Sequence, residues 1–135
     1  MNNYGLDTSV VVRLLIKEPV EQAEIAQQFI LDARTQGCTI WVSDLVLAEA
    51  YYVLHSYYDT PKDVALSALL QLIDSGDVDV EPDGCGRIAL QDKLSNPGKL
   101  GWVDRMIYEQ YRRKNARLVS FEKAAGPLSK AMRLG

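Results

Sequence analysis

The feature that most constrains this chain is the alternation of two kinds of apolar segment. Short runs rich in β-branched or aromatic residues, Tyr4 to Leu6, Thr39 to Val42, Val78 to Val80 and Arg117 to Phe121, are bounded by Gly, Asp, Ser or Asn and read as strands. Between them lie longer stretches with helical spacing: Ser9 to Ile16, Val20 to Thr35, Leu45 to Tyr58, Asp63 to Ser75, Gly86 to Leu94 and Trp102 to Lys114. Pro19 and Pro61 stand where helices should begin, and Gly37 and Gly76 where they should end. Strands joined by helical crossovers predict an α/β fold, a parallel sheet covered on both faces, with ligands bound beyond the carboxyl ends of the strands.

The 135 residues, 47% of them hydrophobic, suffice for one core, so residues 1–135 are expected to form a single domain. No internal repeat, low-complexity tract or linker divides them, and Ser95 to Gly101, with Pro97 and two glycines, is the best candidate for a mobile loop. No basic region leads into a long apolar run, so neither a signal peptide nor a membrane span is expected, and a cytoplasmic location follows. Cys38 and Cys85 are the only cysteines, which excludes a disulfide framework and a cysteine-cluster zinc site. The net charge of -3 argues against a nucleic-acid partner unless several acids converge on a divalent cation, which would then supply positive charge where a phosphate must sit.

Four acids occupy positions that invite such a reading. Asp7 ends the first strand and precedes a helix, a location that also suits a helix cap. Glu49 has Leu45, Val46, Tyr52 and Val53 as helical neighbours, so it lies on an apolar stripe, where a carboxylate must be paired, protonated or metal-bound. Asp104 repeats the pattern in the helix after the glycine-containing loop, where Ile107, Tyr108 and Tyr111 mark the expected buried side and Arg105, Glu109, Arg112 and Arg113 the wet one. As an acid in a first turn, Asp104 also complements the helix dipole. Glu122 directly follows the strand ending at Phe121, the same strand-end location as Asp7. If the strands are adjacent, the four carboxylates meet at one sheet edge and would repel each other without a cation. Oxygen-only ligands select a hard ion, Mg²⁺ or Mn²⁺, and hydrolysis of a phosphate ester is the chemistry such an ion serves. Spacing decides neither one ion against two nor which acid serves as general base.

The residues resemble a PIN domain, and within that family the VapC-type toxins of bacterial toxin-antitoxin pairs. The likeness spans nearly the whole chain and rests on Gly5-Leu6-Asp7-Thr8-Ser9-Val10, on Ser43-Asp44-Leu45-Val46-Leu47-Ala48-Glu49, on Trp102-Val103-Asp104-Arg105-Met106-Ile107, and on Val119-Ser120-Phe121-Glu122-Lys123. It implies a three-layer α/β/α fold with a central parallel sheet of four or five strands. It also implies a divalent-metal-dependent endoribonuclease in which Asp7, Glu49, Asp104 and Glu122 form the catalytic metal site. Ser9 stands where the family usually has Asn and would orient a ligand or the attacking water; Glu122 stands where Asp is usual. Lys99-Leu100-Gly101 lacks the extra acid that many relatives carry before the third motif.

Arg105 and Lys123 are the expected phosphate contacts, with Arg13 and Lys114 as further candidates, whereas Arg112 and Arg113 read as a solvated helix face. The single histidine, His55, reads as a helix-surface residue, which disfavours a histidine-based nuclease. As a toxin the chain would have an RNA substrate, a cognate antitoxin seated against the stretches Val20 to Thr35 and Asp63 to Ser75, and a second copy of itself as dimer partner. Two other classes compete: a catalytically silent PIN-like module that binds a protein or RNA, and a phosphatase or phospho-receiver. The latter is disfavoured because position 9 is Ser where a haloacid-dehalogenase-type phosphatase has a second Asp.

Overall fold

The structure is a computed structural model that describes residues 3–121 and 132–134. It falls into two compact units, Met1–Pro82 and Asp83–Gly135.

In the first unit the order is β1 (Asn3–Gly5), α1 (Thr8–Ile16), α2 (Val20–Thr35), β2 (Thr39–Trp41), α3 (Asp44–Ser56) and α4 (Lys62–Asp74). β1 and β2 pair in parallel, Asn3 opposite Thr39, Tyr4 opposite Ile40 and Gly5 opposite Trp41, with the long crossover through α1 and α2 that parallel pairing demands. A third rung comes from Asp79, which bridges Trp41 in parallel; its N–H donates to the Ile40 carbonyl at 2.7 Å and its carbonyl accepts from Val42 N–H at 2.9 Å. The strand expected over Val78 to Val80 is therefore a single bridge flanked by two buried valines. α1 packs against α2 and α3, α3 against α4, and α2 against β2.

The helices follow the periodicity that predicted them. α2 turns Ala23, Ala26, Ile30 and Ala33 inward and ends at Gly37, whose φ of 76° lies in the left-handed region that glycine enters without a Cβ penalty. Ser43 caps α3, its hydroxyl accepting from Val46 N–H at 3.3 Å. Leu47, Leu54 and Leu69 are almost wholly enclosed, each burial contributing roughly 1.5–3 kcal/mol.

The second unit comprises α5 (Cys85–Ser95), α6 (Trp102–Arg113), β3 (Val119–Ser120) and β4 (Met132–Arg133), with β3 and β4 parallel and α5 packed on α6. Trp102 is fully buried and donates its indole N–H to the Gly86 carbonyl at 2.9 Å. The sheet expected to have four or five strands is represented, among the described residues, by these two parallel pairs and the Asp79 rung. The segment Ser95 to Gly101 meets side chains at two of its carbonyls: Lys93 Nζ donates to Gly98 O (2.7 Å) and Leu100 O (3.2 Å), and Arg105 Nε to Leu100 O (3.0 Å).

Candidate functional site

Asp7 sits where β1 hands over to α1, and its side chain caps the helix. Oδ1 accepts from Thr8 N–H at 2.7 Å and Oδ2 from the Ser9 hydroxyl at 3.3 Å, so both oxygens are held by the two residues that follow. The expected cap is present, and it leaves the carboxylate exposed at the helix N-terminus. The Ser9 hydroxyl thus contacts the Asp7 carboxylate directly.

Asp7, Thr8, Ser9, Val12 and Arg13, from the N-cap and first two turns of α1, line one wall of a cleft of about 570 Å³, and Glu49, Tyr52, Val53, Tyr57 and Tyr58 line the other. Two carboxylates separated by more than forty residues of chain therefore face a shared space. Glu49 is exposed, contrary to the burial expected from its apolar neighbours. α3 buries Leu47, Ala50, Tyr51 and Leu54, whereas Leu45 and Tyr52, the neighbours that suggested a core stripe, are 82% and 63% exposed. The stripe faces a cleft, not the core. Arg13 is the basic residue of the cleft wall, with Nη1 donating to the Ser9 carbonyl at 3.1 Å and Nε to Gln22. His55 is half-buried, its ring edge-to-face with those of Tyr51 (4.7 Å) and Tyr52 (5.7 Å). Burial pushes the Tyr51 hydroxyl above its ordinary pKa.

Asp104 lies in the first turn of α6 and is exposed. The inner face of that helix is Trp102, Arg105 and Met106, while Ile107 and Tyr111, expected on the dry side, are 39% and 46% exposed; of the residues expected on the wet side, Arg112 and Arg113 are exposed and Arg105 is buried. Arg105 in particular, expected as a phosphate contact, is only 8% exposed and is taken up by Asp92 (Nη1 to Oδ2, 2.9 Å) and by the Leu100 carbonyl. Arg112 and Arg113 pair with Glu109 at 2.6 and 3.3 Å, and the Arg112 guanidinium, with Arg113 adding to it, holds the Glu109 carboxyl below its ordinary range. Both arginines are thus part of an ion-paired helix surface, as their sequence context suggested.

Glu122 and Lys123 lie outside the described residues. Among the described residues, no ion pair involves Asp7, Glu49 or Asp104, and no group of three or more His, Cys, Asp or Glu gathers as a metal centre. Sequence reasoning did not single out Tyr57 and Tyr58, although their place at the end of the Glu49 helix was a usable signal.

Fold and cleft together define an α/β domain with carboxylates at the carboxyl end of a parallel strand, a class suited to divalent ions and phosphate esters. The chain belongs to the PIN domain family, whose profile matches residues 4–127. Nucleases of this family generally use divalent metal ions. The chain is also similar to a chain in the crystal structure of VapBC2 from Rickettsia felis bound to a DNA fragment from their promoter, with 18% identity over 98% of each chain and a TM-score of 0.41. No curated protein matches it. Among the described residues no helix is long and apolar enough to cross a membrane.

Proposed function

We propose that this chain is a divalent-metal-dependent endoribonuclease of the VapC type, acting as the toxin of a type II toxin-antitoxin pair. The observation that carries the reading is the approach of Asp7 and Glu49 to one cleft from separate elements, neither engaged by a basic side chain among the described residues. Two such carboxylates repel each other, and a hard cation relieves that repulsion. The donor set fits: carboxylate oxygens from Asp7 and Glu49, with the Ser9 hydroxyl beside them, are the ligands that Mg²⁺ or Mn²⁺ selects.

Asp7, Glu49 and Asp104 would hold the ion, with Glu122 as a fourth ligand. When bound, it supplies a water of lowered pKa and neutralises charge on the phosphodiester. The protein's own part is orientation. Thr8 N–H and Ser9 Oγ fix the Asp7 carboxylate at the N-terminus of α1. Arg13, on the cleft wall, and Lys123 are the cations we assign to the RNA phosphates. The cytoplasmic location belongs to the same proposal, as do the antitoxin and the homodimer, which rest on the motif resemblance. Incubation of the purified chain with total RNA, with and without Mn²⁺, followed by sequencing of new ends, tests it: discrete Mn²⁺-dependent cuts are expected. Intact RNA under both conditions would leave a silent PIN-like binding module as the better account.

A further inference from the structure

Four of the chain's seven tyrosines fall between positions 51 and 58, and three of these, Tyr52, Tyr57 and Tyr58, line the same cleft as Asp7 and Glu49. Tyr52 lies one turn beyond Glu49 on the same face of α3 and is 63% exposed; Tyr57 is 77% exposed. So large an exposure of apolar ring surface beside two carboxylates adds nothing to the core. The backbone nevertheless fixes the group. Both the Tyr57 and Tyr58 N–H groups donate to the Val53 carbonyl (2.9 and 3.2 Å), Asp59 turns the chain with a φ of 53°, and Thr60 N–H returns to the Leu54 carbonyl at 2.9 Å. The Tyr57 and Tyr58 rings meet edge-to-face at 4.9 Å and Tyr52 meets His55 edge-to-face at 5.7 Å. Neither contact sandwiches a ring.

We propose that Tyr52 and Tyr57, with Tyr58 behind them, are a stacking platform for an unpaired base next to the cleaved bond. The inference rests on the nuclease reading above. A phosphodiester held at Asp7 and Glu49 carries its flanking nucleotides into the remaining space of a cleft whose 570 Å³ falls within the range of about 300–1,000 Å³ common for small-ligand pockets. That space is walled by flat rings. Only a base free of its duplex presents a face to such rings, and stacking tolerates any base because each has a π-face. Aromatic contact also recovers affinity that an acidic cleft forfeits by lacking a broad basic surface.

The test is the rate of cleavage of a short single-stranded RNA with Mn²⁺ by wild type, Tyr52→Ala, Tyr57→Ala, Tyr52→Phe and Tyr57→Phe, with Mn²⁺ affinity measured by calorimetry on each. Each Ala variant should lose roughly 5- to 150-fold in kcat/KM, the Phe variants should stay near wild type, and Mn²⁺ affinity should not change. An oligonucleotide made abasic beside the cut should cost wild type a similar factor and the Ala variants little more. Ala variants that cleave like wild type overturn the platform alone. So does a loss of activity that tracks a loss of Mn²⁺ affinity, or an effect confined to self-association, which would make the tyrosines a protein interface. A wild type that cleaves no RNA overturns the nuclease reading and the platform with it.

Discussion

Replacing Arg105 with Met separates two accounts of that residue. The substitution keeps an unbranched stem of similar reach in a site only 8% exposed, but removes the charge and the donors to Asp92 and to the Leu100 carbonyl. Hydrogen bonds to charged groups contribute about 1.5–3 kcal/mol each. Both losses are softened here, because Asp92 is 50% exposed and turns to water, and Lys93 Nζ still donates to the Leu100 carbonyl. The net cost should be about 1–2 kcal/mol, a fall in Tm of roughly 2–8 °C for a domain of this size. Thermal unfolding by circular dichroism measures the first quantity, and the dependence of RNA binding on salt the second. As a buried brace, Arg105 should give a lower Tm and an unaltered salt slope in the folded variant. An unchanged Tm with a slope reduced by about one would mean that the side chain reaches a phosphate and would refute the structural assignment.

Other expectations follow from the same contacts. Asp7→Asn should keep the cap, since Asn accepts the Thr8 N–H equally well, and so leave Tm close to wild type, while Asp7→Ala should cost about 0.5–2 kcal/mol; equal Tm values for the two variants would contradict the capping geometry. Trp102→Phe removes the indole donor from the buried Gly86 carbonyl, which keeps its place in the α5 ladder, and should destabilise by about 0.5–1.5 kcal/mol, which denaturant titration would read as a lower midpoint at unchanged slope. Glu109, whose folded pKa is lowered by Arg112 and Arg113, gives stability that is present above the ordinary carboxyl value of 4.5 and lost as pH falls through the lower folded pKa. Glu109→Gln should therefore flatten the acid limb of the stability profile below about pH 4.5, and an acid limb identical to wild type would rule that contribution out.

Helix positions were legible because helical period and stop signals agreed: α2 runs over Val20–Thr35, the stretch its spacing delimits, and Gly37 and Gly76 carry the positive φ their places implied. Which face of a helix turns inward was harder to read. On α6 two apolar stripes compete, Trp102 with Met106 and Ile107 with Tyr111, and Arg105 joins the first by burying its stem and satisfying its head locally. On α3 the stripe Leu45, Glu49, Tyr52 and Val53 is real, but three of its members face a cleft, and apolar spacing does not distinguish a cleft wall from a core. Asp7 and Ser9 were readable because their hydrogen bonds are local; the meeting of Asp7 with Glu49 depends on the packing of α1 against α3. That neither acid enters an ion pair among the described residues was likewise invisible in a one-dimensional pattern.

Calorimetric titration of Mn²⁺ into the intact chain and into Asp7→Asn, Glu49→Gln and Asp104→Asn, run beside RNA cleavage on the same samples, reaches the claim that divalent-ion binding and hydrolysis share these carboxylates. Saturable binding by wild type, with affinity and cleavage falling together in each folded variant and chelator abolishing the cuts, is the predicted result. Cleavage that survives the chelator, or variants that bind Mn²⁺ as wild type does, would contradict it.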